Sequence, residues 1–350
     1  MDERMVAARF HAPNRPLVLE DVPIPQIEAS EILVEVKSCG LCGSDVHIIK
    51  GESSTGKVPI TLGHESSGII VHIGSRVEGW KPGDRVIISC ITSCGNCSTC
   101  QMGRDSICLN RKALGVQLDG ALARFMKVTP RNLVSLPDGI SFEEGAILTD
   151  AVATPYHALK GRAKVRAGEA IAILGVGGLG IHAVKLARLL GAVPIFAIDI
   201  SEARLDRALK CGADFAINAN KDDPSEYMRQ NTSGLGVDVA LECIGKASTI
   251  RMAIDAVRIG GRAAIVGLGE ESIDVGTISA FVRKEVAVFG SSAFELKEHK
   301  ELLSLVSSGR LDLSESVSEV FPLSAVNDAL RRLSSGKEDI VRFVINDFQK

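Results

Sequence analysis

Four cysteines, Cys94, Cys97, Cys100 and Cys108, stand within fifteen residues at a C-x2-C-x2-C-x7-C spacing. Thiolates this close in an irregular stretch can close a tetrahedral shell around Zn²⁺. All four positions of that shell belong to the protein, so none is left for a substrate. The cluster therefore predicts a structural zinc lobe over about residues 90–110. Cys42, His64 and Asp150 supply a second set of metal-capable residue types. A glycine-rich stretch, Gly175-Val-Gly177-Gly178-Leu179-Gly180, follows the apolar run Ile171 to Leu174.

Two other readings of the cysteine cluster fit the chain less well. A disulfide framework belongs to secreted proteins. The opening MDERMVAARFHAPNRP has no charged-then-apolar signal pattern, and the cysteine total of nine is odd. A nucleic-acid-binding zinc ribbon needs a basic surface. Here 40 Lys and Arg face 43 Asp and Glu, a net charge of −3. The expectation is a cytoplasmic protein with no nucleic-acid partner.

The glycine stretch reads as G-x-G-x-x-G between a strand and a helix, the context that motif requires. Its first glycine permits a tight turn, its second lets backbone approach a pyrophosphate, and its third lets helix and strand pack closely. The helix N-terminus offers free N–H groups to phosphate. Asp199 ends the next strand, nineteen residues past Gly180. That is near the offset of the acidic residue that accepts ribose hydroxyls and repels a 2′-phosphate, which favours NAD over NADP. Asp199 could also merely end its strand ahead of a helix cap at Ser201. Arg204 could bind a phosphate or cover the adenosine ribose.

The elements that must position these groups change texture near Asp150. Before it, short runs such as EILVEVKSC, SGIIVHIG and GDRVIIS read as strands among Gly and Pro turns. After it, a helix over 151–160, broken or started near Pro155, leads into alternating strands and helices. That alternation predicts a parallel sheet covered on both faces. The tail from about 295 is expected to return to the first domain. The predicted fold is α/β: a Rossmann-type doubly wound domain, 152–294, inserted into a β-rich catalytic domain, 1–151 and 295–350. At 350 residues the chain can hold two cores. No apolar run reaches the ~20 residues that span a bilayer.

With these residues in view, the chain resembles the zinc-dependent medium-chain alcohol dehydrogenases along essentially its whole length. The most specific stretch is Gly63-His64-Glu65-x2-Gly68-x5-Gly74-x2-Val77, and Cys42-Gly-Ser44-Asp45-Val-His47, Lys81-Pro-Gly-Asp-Arg-Val86 and the glycine loop fall in family order. The resemblance implies a GroES-like first domain. It also implies a catalytic zinc on Cys42, His64 and Asp150, in addition to the structural one, making two per chain. Asp150 stands where the family commonly has Cys; a hard oxygen donates less electron density than sulfur, so a slightly more Lewis-acidic metal is expected. Asp150 could also simply cap the following helix.

The resemblance assigns further roles. Glu65 lies beside the metal and can approach it during ligand exchange. Asp45 orients a metal-bound His. Thr154 lies near the nicotinamide, and Arg342 binds the pyrophosphate, unless it is a surface Arg. A proton relay runs from Ser44 through the cofactor ribose to His47, although Ser44 could only pack a turn and His47 could only be an exposed polar residue. Cys90, Leu122 and Leu268 fall near substrate-pocket positions, and a small residue at 90 implies room for a secondary or bulky alcohol.

The implied activity is reversible oxidation of an alcohol to an aldehyde or ketone by hydride transfer to NAD, with a small-molecule substrate, no membrane, and a homo-oligomer, tetramer or dimer. Polyol, threonine, cyclic-alcohol or acyl-CoA-type dehydrogenases of the same superfamily remain open. So does a catalytically silent NAD-binding zinc protein, which the intact zinc residues disfavour. The remaining histidines, His299 among them, are expected to be structural or on the surface.

Overall fold

Ile171–Leu174 is buried at every residue and pairs in parallel with Ile195–Asp199 on one side and Val237–Glu242 on the other. A strand covered on both faces has no polar face to alternate, which is why these runs read as continuous apolar sequence. The chain is described here from a computed structural model covering residues 4–336 and 338–349. It divides into two units, Met1–Ala151 with Glu295–Lys350, and Val152–Phe294.

In the second unit six parallel strands run in the order Phe215–Asn218, Ile195–Asp199, Ile171–Leu174, Val237–Glu242, Val257–Ile265, Ala287–Gly290. The chain thus winds outward from Ile171–Leu174 in both directions, the doubly wound Rossmann order. A crevice is expected where the order reverses, at the carboxyl ends of Ile171–Leu174 and Val237–Glu242. Helices Gly180–Leu189, Glu202–Lys210, Pro224–Gln230 and Ala247–Ala256 make the crossovers. Phe196, Ile217, Met228, Val237 and Ile254 fill one core layer. Helix Ile278–Lys284 has no periodic signal to find, because none of its residues is buried. The single helix expected over 151–160 is instead a wide π-turn Leu148–Val152, a short α-helix Ala153–Tyr156 and a second π-turn His157–Arg162. Pro155 has no N–H to give, so regular i→i−4 bonding is interrupted around it.

The first unit is built on strand Ile32–Leu41. It pairs antiparallel with Glu65–Ile73, Phe125–Val128 and the C-terminal Phe343–Asp347. Two registers matter for chemistry. Gly40 lies opposite Glu65, and Leu41 opposite Phe343. They bring Cys42, the His64–Glu65 pair and Arg342 to one end of the sheet from positions far apart in sequence. Helix Phe142–Ile147, capped by Ser141 and Glu144, leads into the π-turn that carries Asp150.

Candidate active site and metal centres

Cys42 follows the central strand and caps helix Gly43–Lys50, where its N–H donates to Asp45 Oδ2 at 3.0 Å. His64 presents Nε2 to Asp150 Oδ2 at 3.6 Å and Nδ1 to Asp45 Oδ1 at 3.4 Å. Cys42 Sγ lies 3.7 Å from the same Asp150 oxygen. One ligand atom from each of Cys42, His64, Glu65 and Asp150 falls within 4.8 Å of the others. Tetrahedral zinc with bonds of about 2.0–2.3 Å spaces mixed ligands about 3.5 Å apart, so the donor set fits that ion.

The electrostatics point the same way. Burial alone would raise the Cys42 thiol, yet Arg342 and His64 beside it pull it below its ordinary value. Burial would lower His64, but Asp45 and Asp150 raise it well above the usual imidazole range. Burial drives Glu65 well up despite Arg342. Three acidic groups share a dry pocket, and a divalent cation would relieve their repulsion.

Glu65 is fully buried, with Oε1 3.2 Å from Arg342 Nη2. The pair is close but misaligned: neither Glu65 oxygen meets an oriented donor among the described residues. Gly40 makes room for this carboxylate, since a Cβ there would sit 2.2 Å from Glu65 Oε2. Arg342 is 3% exposed and also donates to Leu41 O at 3.4 Å. The residue expected to hold a pyrophosphate is thus enclosed against the metal cluster. Its register opposite the central strand puts it there, and nothing local in the sequence could show it.

Ser44 is half-buried, its hydroxyl 3.8 Å from Cys42 Sγ. His47 is exposed, with Nδ1 2.5 Å from Glu52, a partner that no motif signalled. Cys90 is 6% exposed, and burial pushes its thiol up to about 12, with Asp150 adding to the rise and His64 opposing it. Leu122 is fully buried, and its backbone bonds Leu62 and Ala8. In the second unit Thr154 is 6% exposed and Leu268 is 71% exposed.

The four-cysteine lobe gathers as its spacing predicts. The sulfur separations are 3.5 Å for Cys97–Cys100, 3.6 Å for Cys94–Cys108, 3.8 Å for Cys97–Cys108 and 4.0 Å for Cys94–Cys100. Zn–S bonds of about 2.3 Å place tetrahedral sulfurs about 3.8 Å apart. The Thr99 hydroxyl and the Cys100 and Leu109 N–H groups hold the Cys97 thiol down at about 5, while burial and the adjacent Cys97 push Cys100 up to about 12. Arg131 clasps both ends of the run, donating to Ser93 at 2.8 Å and to Asp105 at 2.7 Å.

The glycine loop has the shape of a phosphate cradle. Gly175 has φ +85°, and a Cβ on Gly180 would sit 1.9 Å from Gly175 O. Around Gly177 the space is open, with only Arg204 Nη1 at 3.9 Å from a Cβ there. Gly178 and Leu179 complete the turn into helix Gly180–Leu189. Asp199 is 7% exposed; Oδ2 accepts from Val176 N at 3.0 Å and Oδ1 from Ile200 and Ser201 N. Its carboxylate therefore braces the loop itself, and Arg204 lies 3.8 Å from it.

The family model described as "Alcohol dehydrogenase GroES-like domain" matches residues 28–138, and "Zinc-binding dehydrogenase" matches residues 178–308. An alcohol dehydrogenase of Geobacillus stearothermophilus is 33% identical over 335 residues, covering 95% of this chain and 97% of the relative. The chain belongs to the zinc-dependent medium-chain alcohol dehydrogenases. A sorbitol dehydrogenase of Bacillus subtilis is 31% identical over 98% of this medium-chain dehydrogenase and 97% of the relative. Among solved structures, alcohol dehydrogenase TADH from Thermus sp. ATN1 superposes with a TM-score of 0.91, 29% identity, and coverage of 98% and 100%. This family member is an oxidoreductase that uses NAD and zinc, with the GroES-like and Rossmann-type folds expected. Among the described residues, no helix is long and apolar enough to cross a membrane.

Proposed function

We propose that the chain interconverts a secondary or bulky alcohol and its ketone at a zinc held by Cys42, His64 and Asp150, and that Cys94, Cys97, Cys100 and Cys108 hold a structural zinc. The observation that carries this reading is the convergence of Cys42 Sγ and His64 Nε2 on Asp150 Oδ2, at 3.7 and 3.6 Å. When bound, zinc supplies Lewis acidity toward the alcohol oxygen and the nicotinamide accepts hydride.

The protein's own residues do the rest. Asp45 fixes the His64 ring so that Nε2 faces the ligand cluster. Arg342 offsets part of the cost of burying Glu65 and helps pull the Cys42 thiol below its ordinary value. Glu65 would be a fourth donor, and the second oxygen, available to the metal if another ligand left. The Ser44 hydroxyl would accept the substrate proton as it gives up its own, and His47, its ring held by Glu52, would release a proton to solvent, the two being linked by the ribose of the cofactor when it is bound. Cys90 leaves the pocket wide, which favours bulky alcohols; in the second unit Thr154 is proposed to contact the nicotinamide and Leu268 the substrate. Gly175, Gly177, Gly178, Leu179 and Gly180 cradle the pyrophosphate, with Arg204 above Gly177, and Asp199 disfavours a 2′-phosphate.

A polyol substrate is the second reading, supported by the near full-length similarity to sorbitol dehydrogenase. The dehydrogenase is read as cytoplasmic, since thiolate-rich metal sites persist in reducing compartments. It is read as a homo-oligomer joined at the free edge of Ala287–Gly290, beside the exposed Ile278 and Val282. NADH formation across primary, secondary, cyclic and polyol substrates, with NADP⁺ and chelator arms, tests the assignment. Chelator-insensitive turnover, or a preference for ethanol over every bulky secondary alcohol, would sink it.

A further inference from the structure

The geometry points to one helix, Leu296–Ser307, as the link that carries the state of the four-cysteine lobe to the Asp150 metal ligand, with Glu295 and His299 as its positioning residues. At one end stands Glu295, the residue preceding the helix. Its side chain is 4% exposed, and it reaches into the lobe. Oε2 accepts from Ser106 N at 3.1 Å and Oε1 from Ser106 Oγ at 2.8 Å, with Arg104 Nε 3.5 Å from Oε1. Ser106 lies two residues before Cys108, in the short turn Asp105–Ile107 that sets the fourth sulfur. The Glu295 N–H donates to Glu298 Oε2 at 2.7 Å, so the helix start is fixed to the same anchor.

Four residues on, His299 is fully buried on the same helical face. Its Nε2 lies 3.0 Å from Thr149 O. A carbonyl can only accept, so Nε2 carries the proton. Thr149 directly precedes Asp150 within the π-turn Leu148–Val152, so His299 holds the peptide next to Asp150. The chain of contacts therefore runs from Ser106 to Glu295, along one helical turn to His299, and on to the backbone of Asp150. All of it lies in the first unit. A lobe that loses its metal frees the Ser106 turn, unseats Glu295 and loosens the peptide that aims the Asp150 carboxylate. The lobe gains a role beyond stability: it pre-sets a ligand of the other metal centre.

The inference rests on Asp150 being a ligand. The test uses the full-length protein with Co²⁺ in both sites, because an all-thiolate site and a Cys/His/Asp site give distinct ligand-field bands. D150A must alter the mixed-ligand band; if it does not, the ligand reading itself fails. Given that control, E295A and H299L each speed cobalt release from the mixed-ligand site about tenfold and shift its band, the size expected for residues that orient a ligand. H299Q, which restores an N–H donor, returns both toward the wild-type values. If E295A does not fold, S106A removes the hydroxyl contact alone and carries the same expectation. An unchanged band and release rate in H299L and in E295A or S106A would overturn the proposal.

Discussion

Replacing Arg342 by Leu isolates the buried Glu65–Arg342 pair behind the proposed metal ligands. Arg342 Nη2 lies 3.2 Å from Glu65 Oε1, and the residues are 3% and 0% exposed. At an effective dielectric near 20, that separation corresponds to a gross attraction of about 5 kcal/mol. Removing one partner of such a pair costs up to about 3–5 kcal/mol, reduced to the extent that the Glu65 carboxyl, which burial already drives up, takes a proton. The metal-free protein carrying R342L should lose stability in that range in urea unfolding, followed by a probe in the first unit. E65Q/R342L should recover about 1–3 kcal/mol relative to the sum of the single variants. The Cys42 thiol, deprived of the guanidinium that offsets its burial, should alkylate more slowly at neutral pH. A cost below about 1 kcal/mol, or additivity within about 0.5 kcal/mol, would refute the idea that the pair is a coupled unit.

Three further outcomes follow from the geometry. G177A should keep near wild-type stability, because only the tip of Arg204 approaches its Cβ, yet lose cofactor affinity; G180A, whose Cβ would meet Gly175 O at 1.9 Å, should cost about 1–3 kcal/mol. Thermal melts with NAD⁺ titration separate the two, and equal melting points would count against the cradle geometry. In metal-free protein at neutral pH, iodoacetamide should label Cys97, held at about 5, well before Cys100, raised to about 12. The Cys97 thiolate favours the folded lobe above its ordinary pKa, and that contribution fades as pH falls toward 5, so labelling should fade with it; mass-spectrometric mapping reads this directly. D150A should bind one zinc per chain where the wild type binds two, measured by elemental analysis, and two zincs in the variant would remove Asp150 from the ligand set.

What the sequence discloses depends on how local each cause is. The four-cysteine lobe is legible because one short loop carries all of its ligands, and spacing stands in for geometry. The strands and helices of the Rossmann unit are legible because burial on both faces leaves unbroken apolar runs between glycine turns. Arg342 and Glu65 are the opposite case. They meet because Leu41 pairs with Phe343 and Gly40 with Glu65, registers that no local pattern encodes. The π-turns around Asp150 escape for a similar reason: composition reports helix but not how many residues each turn holds. His299 is buried, and it has no neighbour in sequence that hints at Thr149, 150 positions away. Asp199 shows a subtler limit. Its offset correctly marked the end of the second strand, while its bonds to Val176, Ile200 and Ser201 are visible only in three dimensions.

On the proposed reading, Cys42, His64 and Asp150 hold the metal that activates an alcohol for hydride transfer to NAD. The most direct test of that reading is NADH formation from a bulky secondary alcohol by wild type and H64A, each with its zinc content measured. Wild type should show NAD-dependent turnover and two zincs, and H64A the lobe zinc alone and turnover lower by at least about a hundredfold. An H64A protein that retains two zincs and wild-type turnover would contradict it.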